Sequence, residues 1–403
     1  MIGIEDINLY AGRLSLSIFD LAKERGQTDE YVSTNLMCDT RSVYPVWEDS
    51  VTLAVNAAKP LTDRNDLSDI QLLIVSTESA VDFGKPVSTW VHRFCSLPAN
   101  CRNFEIKHAC YGATGALKMA ANWVAQTGKK ALVVSADYSR NHIGTDMEYI
   151  SGGCGVAFLV SNQPDIISFE PNRAGFWTTE IADTFRPTSR DEIGNDQLSL
   201  YSYIDALEGS YFHFEELYGS PDLLNRYKAQ IYHAPFPAMT WQAHRTLLYQ
   251  YDTIDKKSKK EDFDRRVAPG LTFNQQTGTT YGASNFVGLL SHLSKSDHLK
   301  KDDLISLFSY GSGCQGEFYE ATVGEYATEK VQALEIENML QNRVPLSVAA
   351  YEEIEHKRDS AIDVKNIDLN VTNDPIYQES YQGKSILTLK LIENFNRNYS
   401  LSS

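Results

Sequence analysis

Short apolar runs alternate with amphipathic stretches along the first half of the chain. Residues 71–77, 130–136 and 155–161 are brief and rich in Val, Leu and Ala, which predicts buried strands. Residues 111–127 instead repeat small and apolar side chains every three to four positions, which predicts a helix. Strand and helix signals that alternate in this way are typical of an α/β architecture.

The second half repeats this arrangement. Residues 229–233 form a short strand pattern that ends in a polar residue, residues 281–293 form an apolar helix pattern, and residues 304–309 form a further strand pattern. Each half therefore offers a strand, a turn of small residues into a helix, and another strand. We interpret this as a diverged internal duplication, with one half at 1–165 and the other at 166–403.

Composition and charge exclude several classes of protein. The 403 residues are 42% hydrophobic, enough for a large core, and the net charge of −16 should repel nucleic acid and anionic lipid. No apolar run approaches the length of a membrane span, and the N-terminus lacks the basic region of a signal peptide. Six scattered cysteines without a C-x-x-C pair predict a reduced, cytoplasmic setting and no metal site. No phosphate-binding loop is present, so no nucleotide cofactor is expected.

Cys110 is the first candidate for chemistry. It lies in the run Ala-Cys-Tyr-Gly-Ala-Thr-Gly-Ala, between a strand-like stretch at 104–106 and the helix predicted at 111–127. The positive end of a helix favours a thiolate, the reactive form of cysteine, so the position predicts a nucleophile for acyl transfer. The alternative is a buried cysteine with a packing role, which is common.

Other polar residues follow predicted strand ends, where ligands of α/β sheets collect. Glu78 follows the first strand, His233 ends the corresponding strand of the second half, and Gly311 and Ser312 end the last strand. Glu78 alone could cap a helix, and His233 alone could be a half-buried histidine. Together with Cys110, a carboxylate and an imidazole are the groups that covalent catalysis with proton transfer requires.

The blocks around Glu78, Cys110, His233 and Ser312 resemble, in this order, the signature blocks of 3-hydroxy-3-methylglutaryl synthases of the thiolase superfamily. The resemblance spans nearly the whole chain. Two further triplets, Phe-Gly-Lys at 83–85 and Ala-His-Arg at 243–245, are similar to the branch that installs β-branches on polyketides bound to carrier proteins.

The resemblance implies a thiolase-like duplicated fold with α-β-α-β-α layers, a homodimer and no cofactor. It also implies that Cys110 takes an acetyl group from an acetyl carrier protein and that Glu78 removes a methyl proton from it. The enolate then adds to the β-ketone of a carrier-bound β-ketoacyl chain, with His233 binding this acceptor and supplying a proton. Water finally releases the product from Cys110.

The resemblance assigns oxyanion and substrate binding to four further residues: Gly311, Ser312, Thr279 and Tyr281. Three positions depart from the family pattern. His108 and Asn141 stand where the primary enzymes carry Glu and Tyr, and Thr279 stands where the family has Asn. Thr cannot reproduce the hydrogen bonds of an amide. We expect His108 to have a structural or tuning role.

A basic run contains Lys256, Lys257, Lys259 and Lys260 in an otherwise acidic chain. The plain interpretation is a solvated loop. The sharper one is a docking patch for an acidic carrier protein, since the rest of the surface would repel such a partner.

Two alternative functions stay open, and a third is disfavoured. A primary-metabolism synthase would use acetyl-CoA and acetoacetyl-CoA for the same chemistry. A non-catalytic thiolase-fold subunit would only bind acyl chains, but such a protein would usually lose Glu78, Cys110 or His233. A decarboxylating condensing enzyme is disfavoured, because that chemistry uses a His–His or His–Asn pair.

Overall fold

The computed structural model describes residues 1–219, 222–250, 254–295 and 298–402. Within them the strands are β1 (Ile2–Tyr10), β2 (Leu14–Ser17), β3 (Thr40–Val43), β4 (Ile70–Ser76), β5 (Arg102–Ile106), β6 (Lys130–Tyr138), β7 (Gly153–Ser161), β8 (Ile167–Phe169), β9 (Ala174–Thr178), β10 (Thr184–Phe185), β11 (Ile193–Gly194), β12 (Ala229–Tyr232), β13 (Leu304–Gly311), β14 (Gln315–Val323), β15 (Val344–Leu346), β16 (Ile367–Asp368), β17 (Leu387–Glu393) and β18 (Asn396–Leu401).

The α-helices of the same residues are α1 (Ile18–Glu24), α2 (Ser50–Asp63), α3 (Ser88–Phe94), α4 (Gly112–Thr127), α5 (Met147–Ile150), α6 (Asp196–Tyr218), α7 (Pro237–Leu247), α8 (Lys256–Arg266), α9 (Asn274–Thr277), α10 (Ser284–Ser294), α11 (Ala327–Gln332), α12 (Ile336–Gln341), α13 (Val348–Ser360) and α14 (Pro375–Ser380). A π-helix covers Tyr31–Leu36, and short 3₁₀ turns include Tyr281–Ala283. No helix of this part of the chain has the length and apolar character needed to cross a membrane.

The two halves repeat one strand arrangement. In the first half the order is β4-β6-β7-β1, with β4 parallel to β6 and the remaining neighbours antiparallel. In the second half the order is β12-β13-β14-β8 with the same directions. The halves join where β1 pairs with β8, so these strands form one continuous sheet. The repeat makes β12 the counterpart of β4 and places α4 and α10 at corresponding points.

Alternation along the strands separates the hydrophobic core into layers. In β4, Leu72 and Ile74 pack into the central core with α4 and α10, whereas Leu73 and Val75 face an outer core that contains α2. In β13, alternate side chains likewise face the central core or the outer core formed with α6, α7 and α8. Successive strand residues point to opposite faces, so the outcome is an α-β-α-β-α stack. This confirms the predicted α/β fold class.

The predicted elements agree closely with the observed ones, with two differences. The helix predicted at 281–293 begins with a 3₁₀ turn, and α10 follows from Ser284. The loop predicted around Lys256–Lys260 is wrong, because these residues form the first turns of α8. The side chain of Asp255 caps that helix by accepting a hydrogen bond from the Ser258 N–H at 2.7 Å. Lysines paired with acids four residues later also support the helix.

Candidate active site

The carboxyl ends of β4 and β12, the turn before α4 and the end of β13 meet at one edge of the stack. A cavity of about 630 Å³ opens there. Cys110, His233 and Ser312 all line it, and so do Thr279 and Tyr281. The structure therefore brings five of the predicted site residues, from both halves of the chain, around one space.

Cys110 differs from the other five cysteines in its exposure. It is partly exposed, whereas the other five are buried. Ala109 just before it has a φ of +34°, which is unusual for a residue with a side chain. The N–H groups of Tyr111 and Gly112 both donate to the His108 carbonyl at 3.0 Å. This tight turn presents the thiol at the start of α4.

Two glycines allow the backbone around Cys110 to pack closely. A Cβ on Gly112 would lie 2.4 Å from the Ser76 hydroxyl at the end of β4, and a Cβ on Gly311 would lie 2.6 Å from the Tyr111 nitrogen. Gly311, predicted to bind substrate, is therefore placed behind the nucleophile, and the described cavity lining does not include it. Its contribution is to let β13 approach the Cys110 turn.

The surroundings of Cys110 oppose the thiolate that its position at a helix start favours. Burial, followed by the negative charges of Glu78 and Asp137, raises the pKa of the Cys110 thiol well above its ordinary value, and Arg186 opposes this only in part. Burial, together with these anions, opposes the effect of the helix end, which amounts to a fraction of an elementary charge. The thiol must lose its proton as it reacts.

Glu78 is not among the described lining residues of the cavity, but it lies near enough to Cys110 for its charge to act on the thiol, on a turn that Asp137 holds. One carboxylate oxygen of Asp137 accepts hydrogen bonds from the N–H groups of Glu78 and Ser79 at 2.8 and 3.0 Å and from the Ser79 hydroxyl at 2.6 Å. Oε1 of Glu78 is 3.1 Å from Nε of Arg186, whereas its buried Oε2 has no hydrogen-bond partner among the described residues. That free oxygen is available to accept a proton.

Burial also sets the basicity of Glu78. Burial raises the pKa of Glu78 to about 8, against the lowering effect of Arg186, and the charges of Asp137 and Glu192 add to the rise. A carboxylate with a raised pKa is a stronger base than an ordinary one. Glu78 therefore has the protonation behaviour of a general base that works near neutral pH.

The functional contribution of the hairpin formed by β10 and β11 was not predicted. Arg186 and Glu192 flank the pair Phe185–Ile193, and a 3.0 Å hydrogen bond joins the Arg186 guanidinium to Glu192. The sequence offered one signal: the Phe-Arg-Pro triplet at 185–187 fits the family pattern. Nothing in the local pattern indicates that Glu192 points inward, because that follows from how the hairpin folds over the cavity.

His233 lies directly after β12 in neutral surroundings. Its Nδ1 shares a 2.6 Å hydrogen bond with the Ser284 hydroxyl, and its carbonyl accepts one from the Tyr203 hydroxyl at 2.8 Å. The rings of Tyr203 and Tyr310 lie 6.3 and 6.2 Å from the imidazole. His233 is 1% exposed, and burial lowers its pKa to about 3. The imidazole is therefore neutral, and Ser284, which the sequence analysis missed as a site residue, orients it.

Thr279 and Tyr281 occupy different environments in the cavity. The Thr279 N–H donates to the Ile150 carbonyl at 2.8 Å, which fixes its backbone beside the cavity. The Tyr281 hydroxyl donates to Glu192 at 2.8 Å and shares a 2.8 Å hydrogen bond with the Ser139 hydroxyl. Tyr281 is thus already engaged by protein groups, so its role is to shape the wall.

Two of the residues that depart from the family pattern lie outside the described lining of the cavity. The imidazole of His108 packs edge-on against Tyr111 at 5.5 Å, in keeping with a structural role. The side-chain oxygen of Asn141 accepts a hydrogen bond from the Ile143 N–H at 3.0 Å. Neither contact gives these residues a place beside the thiol.

The outer part of the cavity is apolar, with Met37, Phe236 and Trp241 among its lining residues. Trp241 packs edge-on against Phe263 of α8 at 5.3 Å, so α8 lies next to the helix that forms one wall. The four lysines of the basic run lie on the first turns of α8. Lys259 covers the Tyr249 ring at 4.3 Å, Lys257 lies 3.7 Å from Glu261, and Lys260 pairs with Asp264.

Comparison with known proteins gives consistent matches over the chain. Residues 1–165 match the family model described as hydroxymethylglutaryl-coenzyme A synthase N terminal, and residues 252–401 match the one described as its C terminal. The polyketide biosynthesis 3-hydroxy-3-methylglutaryl-ACP synthase PksG of Bacillus subtilis is 35% identical, over 98% of each chain. A hydroxymethylglutaryl-CoA synthase of Enterococcus faecalis is 31% identical, over 87% of this chain and 90% of that protein. The crystal structure of the curacin biosynthetic pathway HMG synthase in complex with apo donor-ACP has a TM-score of 0.94 and 35% identity, covering 99% of both chains.

Proposed function

The chain belongs to the hydroxymethylglutaryl-coenzyme A synthase family, and from that premise we propose that it is an acyltransferase that installs a β-branch on a polyketide bound to a carrier protein. The observation that carries this proposal is the arrangement of Cys110 and His233 around one cavity, with Glu78, whose Oε2 is free, near enough to Cys110 for its charge to act on the thiol. The similarity to PksG, named as an ACP synthase, favours the polyketide branch.

The first half-reaction acetylates Cys110. Its sulfur attacks the carbonyl carbon of an acetyl thioester, the carbon–sulfur bond to the carrier breaks, and the Cys110 proton passes to the departing sulfur, which leaves as a thiol. The backbone N–H groups of Cys110 and Ser312 hold the carbonyl oxygen as it gains negative charge. Donors placed in this way contribute about 3 kcal/mol each to the stability of the transition state.

The second half-reaction forms the carbon–carbon bond. Oε2 of Glu78 takes a proton from the acetyl methyl group, and the electron pair of that C–H bond forms an enolate. The enolate carbon attacks the β-ketone of the second thioester, whose oxygen becomes an alkoxide and takes a proton with His233 as the donor. The proton that Glu78 removed then replaces the one that His233 gave, which restores the neutral imidazole and the free carboxylate. Water then cleaves the Cys110 thioester, which frees the thiol and leaves a carboxylate on the branched product.

The two halves of the chain have different roles in binding the substrates. Residues 1–165 supply the nucleophile and the base, and residues 166–403 supply the acceptor site, where Thr279 and Tyr281 form part of the wall. Lys256, Lys257, Lys259 and Lys260 on α8 attract an acidic carrier protein whose arm enters the adjacent cavity. The active protein is a homodimer, as the family implies.

A second candidate function is the primary-metabolism synthase that uses acetyl-CoA and acetoacetyl-CoA. The similarity to the Enterococcus faecalis enzyme, named as a hydroxymethylglutaryl-CoA synthase, favours it. The chemistry at Cys110, Glu78 and His233 would be the same, so only the identity of the donor and acceptor distinguishes the two functions.

Mass spectrometry of the protein after brief exposure to each donor tests the proposal. We expect acetyl-carrier protein to acetylate Cys110 faster than acetyl-CoA at equal concentration, and added salt to narrow the difference, because salt screens electrostatic attraction. A preference for acetyl-CoA at both low and high salt would reject the carrier-protein function in favour of the second candidate.

The same measurement tests the docking patch. Reversing the charges of Lys256 and Lys257 should slow acetylation by the carrier protein while leaving acetylation by acetyl-CoA unchanged. The matched control reverses the charges of Lys300 and Lys301. These residues precede the first residue of β13, whereas the last residues of β13 lie at the site. If both pairs of reversals behave alike, the patch lies elsewhere on the surface.

A further inference from the structure

A single guanidinium is shared between two carboxylates beside the cavity, and one of them, Glu192, belongs to its lining. Nε of Arg186 lies 3.1 Å from Oε1 of Glu78, and its terminal nitrogen donates to Oε1 of Glu192 at 3.0 Å. The side chains are 10%, 7% and 1% exposed for Glu78, Arg186 and Glu192. Charges removed from water to this extent interact strongly, because little solvent screens them.

Glu192 is the better satisfied of the two carboxylates. Its Oε1 also accepts from the Tyr281 hydroxyl at 2.8 Å, and its Oε2 accepts from the Arg140 N–H at 3.0 Å and lies 3.1 Å from Nε2 of His142. Burial opposes ionisation, but Arg186 and the His142 hydrogen bond hold the pKa of Glu192 well below its usual range. Glu192 is therefore a fixed negative charge.

The geometry at Glu78 is the opposite. It faces Arg186 through one oxygen only, and the contact lacks the geometry of a hydrogen bond, since neither Nε of Arg186 nor Oε2 of Glu78 has a hydrogen-bond partner among the described residues. A guanidinium that faced one carboxylate alone would bind it with two parallel hydrogen bonds and weaken it as a base. Here the stronger bond of Arg186 goes to Glu192.

We propose that Glu192 is a positioning residue for the proton-transfer step: it draws Arg186 away from Glu78, so that Glu78 is oriented by the guanidinium but stays basic enough to deprotonate the acetyl group. This inference rests on the proposed function, since it assigns the base role to Glu78. The charged and titratable groups that face Glu78 are Arg186, Glu192, Asp137, Cys110 and Tyr281. Glu192 differs from the others in that it binds Arg186 directly through a short hydrogen bond.

Exchange of the acetyl methyl protons with deuterium, followed by mass spectrometry of the acetylated protein across pH, tests the proposal. In the wild type we expect the exchange rate to rise with pH, and we call this rise the limb of the profile. Its midpoint should lie at a pH well above the ordinary pKa of a carboxyl group. In Glu192→Gln this rise in exchange should occur at a pH lower by about one unit or more. Arg186 would then face Glu78 alone, and an unshared cation lowers the pKa of a neighbouring carboxyl by that amount. The plateau of the exchange rate should also fall, because a weaker base removes the proton more slowly.

The matched control is Glu320→Gln. Glu320 is also a buried carboxylate that binds arginines, Arg173 and Arg226, and a tyrosine, Tyr227, but it lies on β14 outside the described lining of the site cavity. This variant should keep the wild-type limb. Glu192→Asp, which keeps the charge, should restore most of the wild-type limb and plateau. A folded Glu192→Gln protein with an unshifted limb would overturn the proposal.

Two further measurements apply if Glu192→Gln does not fold. Arg186→Gln should move the limb to higher pH, the opposite direction, and a limb that stays or falls would overturn the proposal. A wild-type limb near pH 4.5 would overturn it without any variant. Exchange that persists in Glu78→Gln would instead reject the base role in the proposed function, so the two failures are distinguishable.

Discussion

Glu78 and His233 follow corresponding strands, β4 and β12, yet their surroundings differ in kind. Glu78 lies among ions: Arg186 is 3.1 Å away, and Asp137 and Glu192 contribute negative charge. His233 is surrounded by neutral groups, with the Ser284 hydroxyl at 2.6 Å and the rings of two tyrosines nearby. A duplicated backbone thus supplies two equivalent positions with opposite electrostatics.

The difference explains how one edge of the fold can hold both a base and a neutral donor. Burial disfavours the charged form of either group, so it raises the pKa of Glu78 to about 8 and lowers that of His233 to about 3. Near pH 7, Glu78 can both take and release a proton, whereas His233 stays uncharged. The fold provides the positions, and the neighbouring side chains decide what each position does.

The largest expected effect comes from removing the Cys110 thiol, which carries the acyl group on which Glu78 and His233 are proposed to act. Cys110→Ala should abolish acetylation, since Cys110 supplies the thiol in the described lining of the cavity, and the variant should still melt cooperatively. Mass spectrometry after exposure to the acetyl donor measures this. Cys101→Ala, at a buried cysteine, is the control and should label like the wild type. Label that persists in Cys110→Ala would remove its assignment as the nucleophile.

The next effect separates the two positions. Glu78→Gln keeps the shape of the side chain but loses the base, so it should still acetylate while exchange of the methyl protons falls by about 10²–10⁴-fold. Deuterium uptake into the acetyl group reports this directly. Turnover at the wild-type rate would show that the proton is removed by another group.

His233→Ala should give the complementary result. Acetylation and methyl exchange should continue, because both belong to the other half of the site, whereas condensation with the acceptor should fall by about 10²-fold. Product formation at varied acceptor concentration is the measurement. A variant that fails at acetylation would place His233 in the first half-reaction and break the comparison.

The smallest effect concerns stability and pH. Because the pKa of His233 is lowered to about 3 by burial, the unfolded chain binds a proton below pH 6.5 that the native protein does not bind. Stability should therefore fall as pH decreases, by about 2 kcal/mol between pH 6.5 and pH 5 from this residue alone. Denaturant unfolding at several pH values gives the free energy of unfolding as a function of pH. This free energy should depend less steeply on pH in His233→Ala than in the wild type.

The matched histidine control for this slope is His356→Ala. His356 is exposed on α13, so its imidazole contacts water in both the native and the unfolded state. We expect that variant to keep the wild-type dependence of stability on pH. An equal change of slope in both histidine variants would remove the special role of burial at His233.

Much of this architecture could be predicted from local patterns. Short apolar runs predict β4, β6, β7 and β13, because a strand that is buried on both faces has apolar side chains along its whole length. The turns of small residues mark where α4 and α10 begin. Polar residues at Glu78, Cys110 and His233 stand out because they interrupt these runs at strand ends, where a site is expected.

Other features depended on contacts distant in sequence. The protonation of Cys110 could not be read from its place at a helix start, because it depends on burial and on the carboxylates of Glu78 and Asp137, which come from other segments. The lysine run predicts a loop where the structure has α8, since a run of charges alone does not reveal the cap at Asp255. Arg186 and Glu192 lie on a short hairpin whose strands have two residues each, too few to carry a pattern.

The sequence by itself determined the α/β class, the repeat of two halves and the three residues that carry the proposed chemistry, because each depends on local periodicity or on residue type at a strand end. The tertiary structure alone decided the electrostatics: which carboxylate shares Arg186, which imidazole stays neutral and which glycine lets β13 approach the thiol. These outcomes depend on burial and on distances of about 3 Å between segments far apart in the chain, and a pKa responds to such distances rather than to neighbours in sequence.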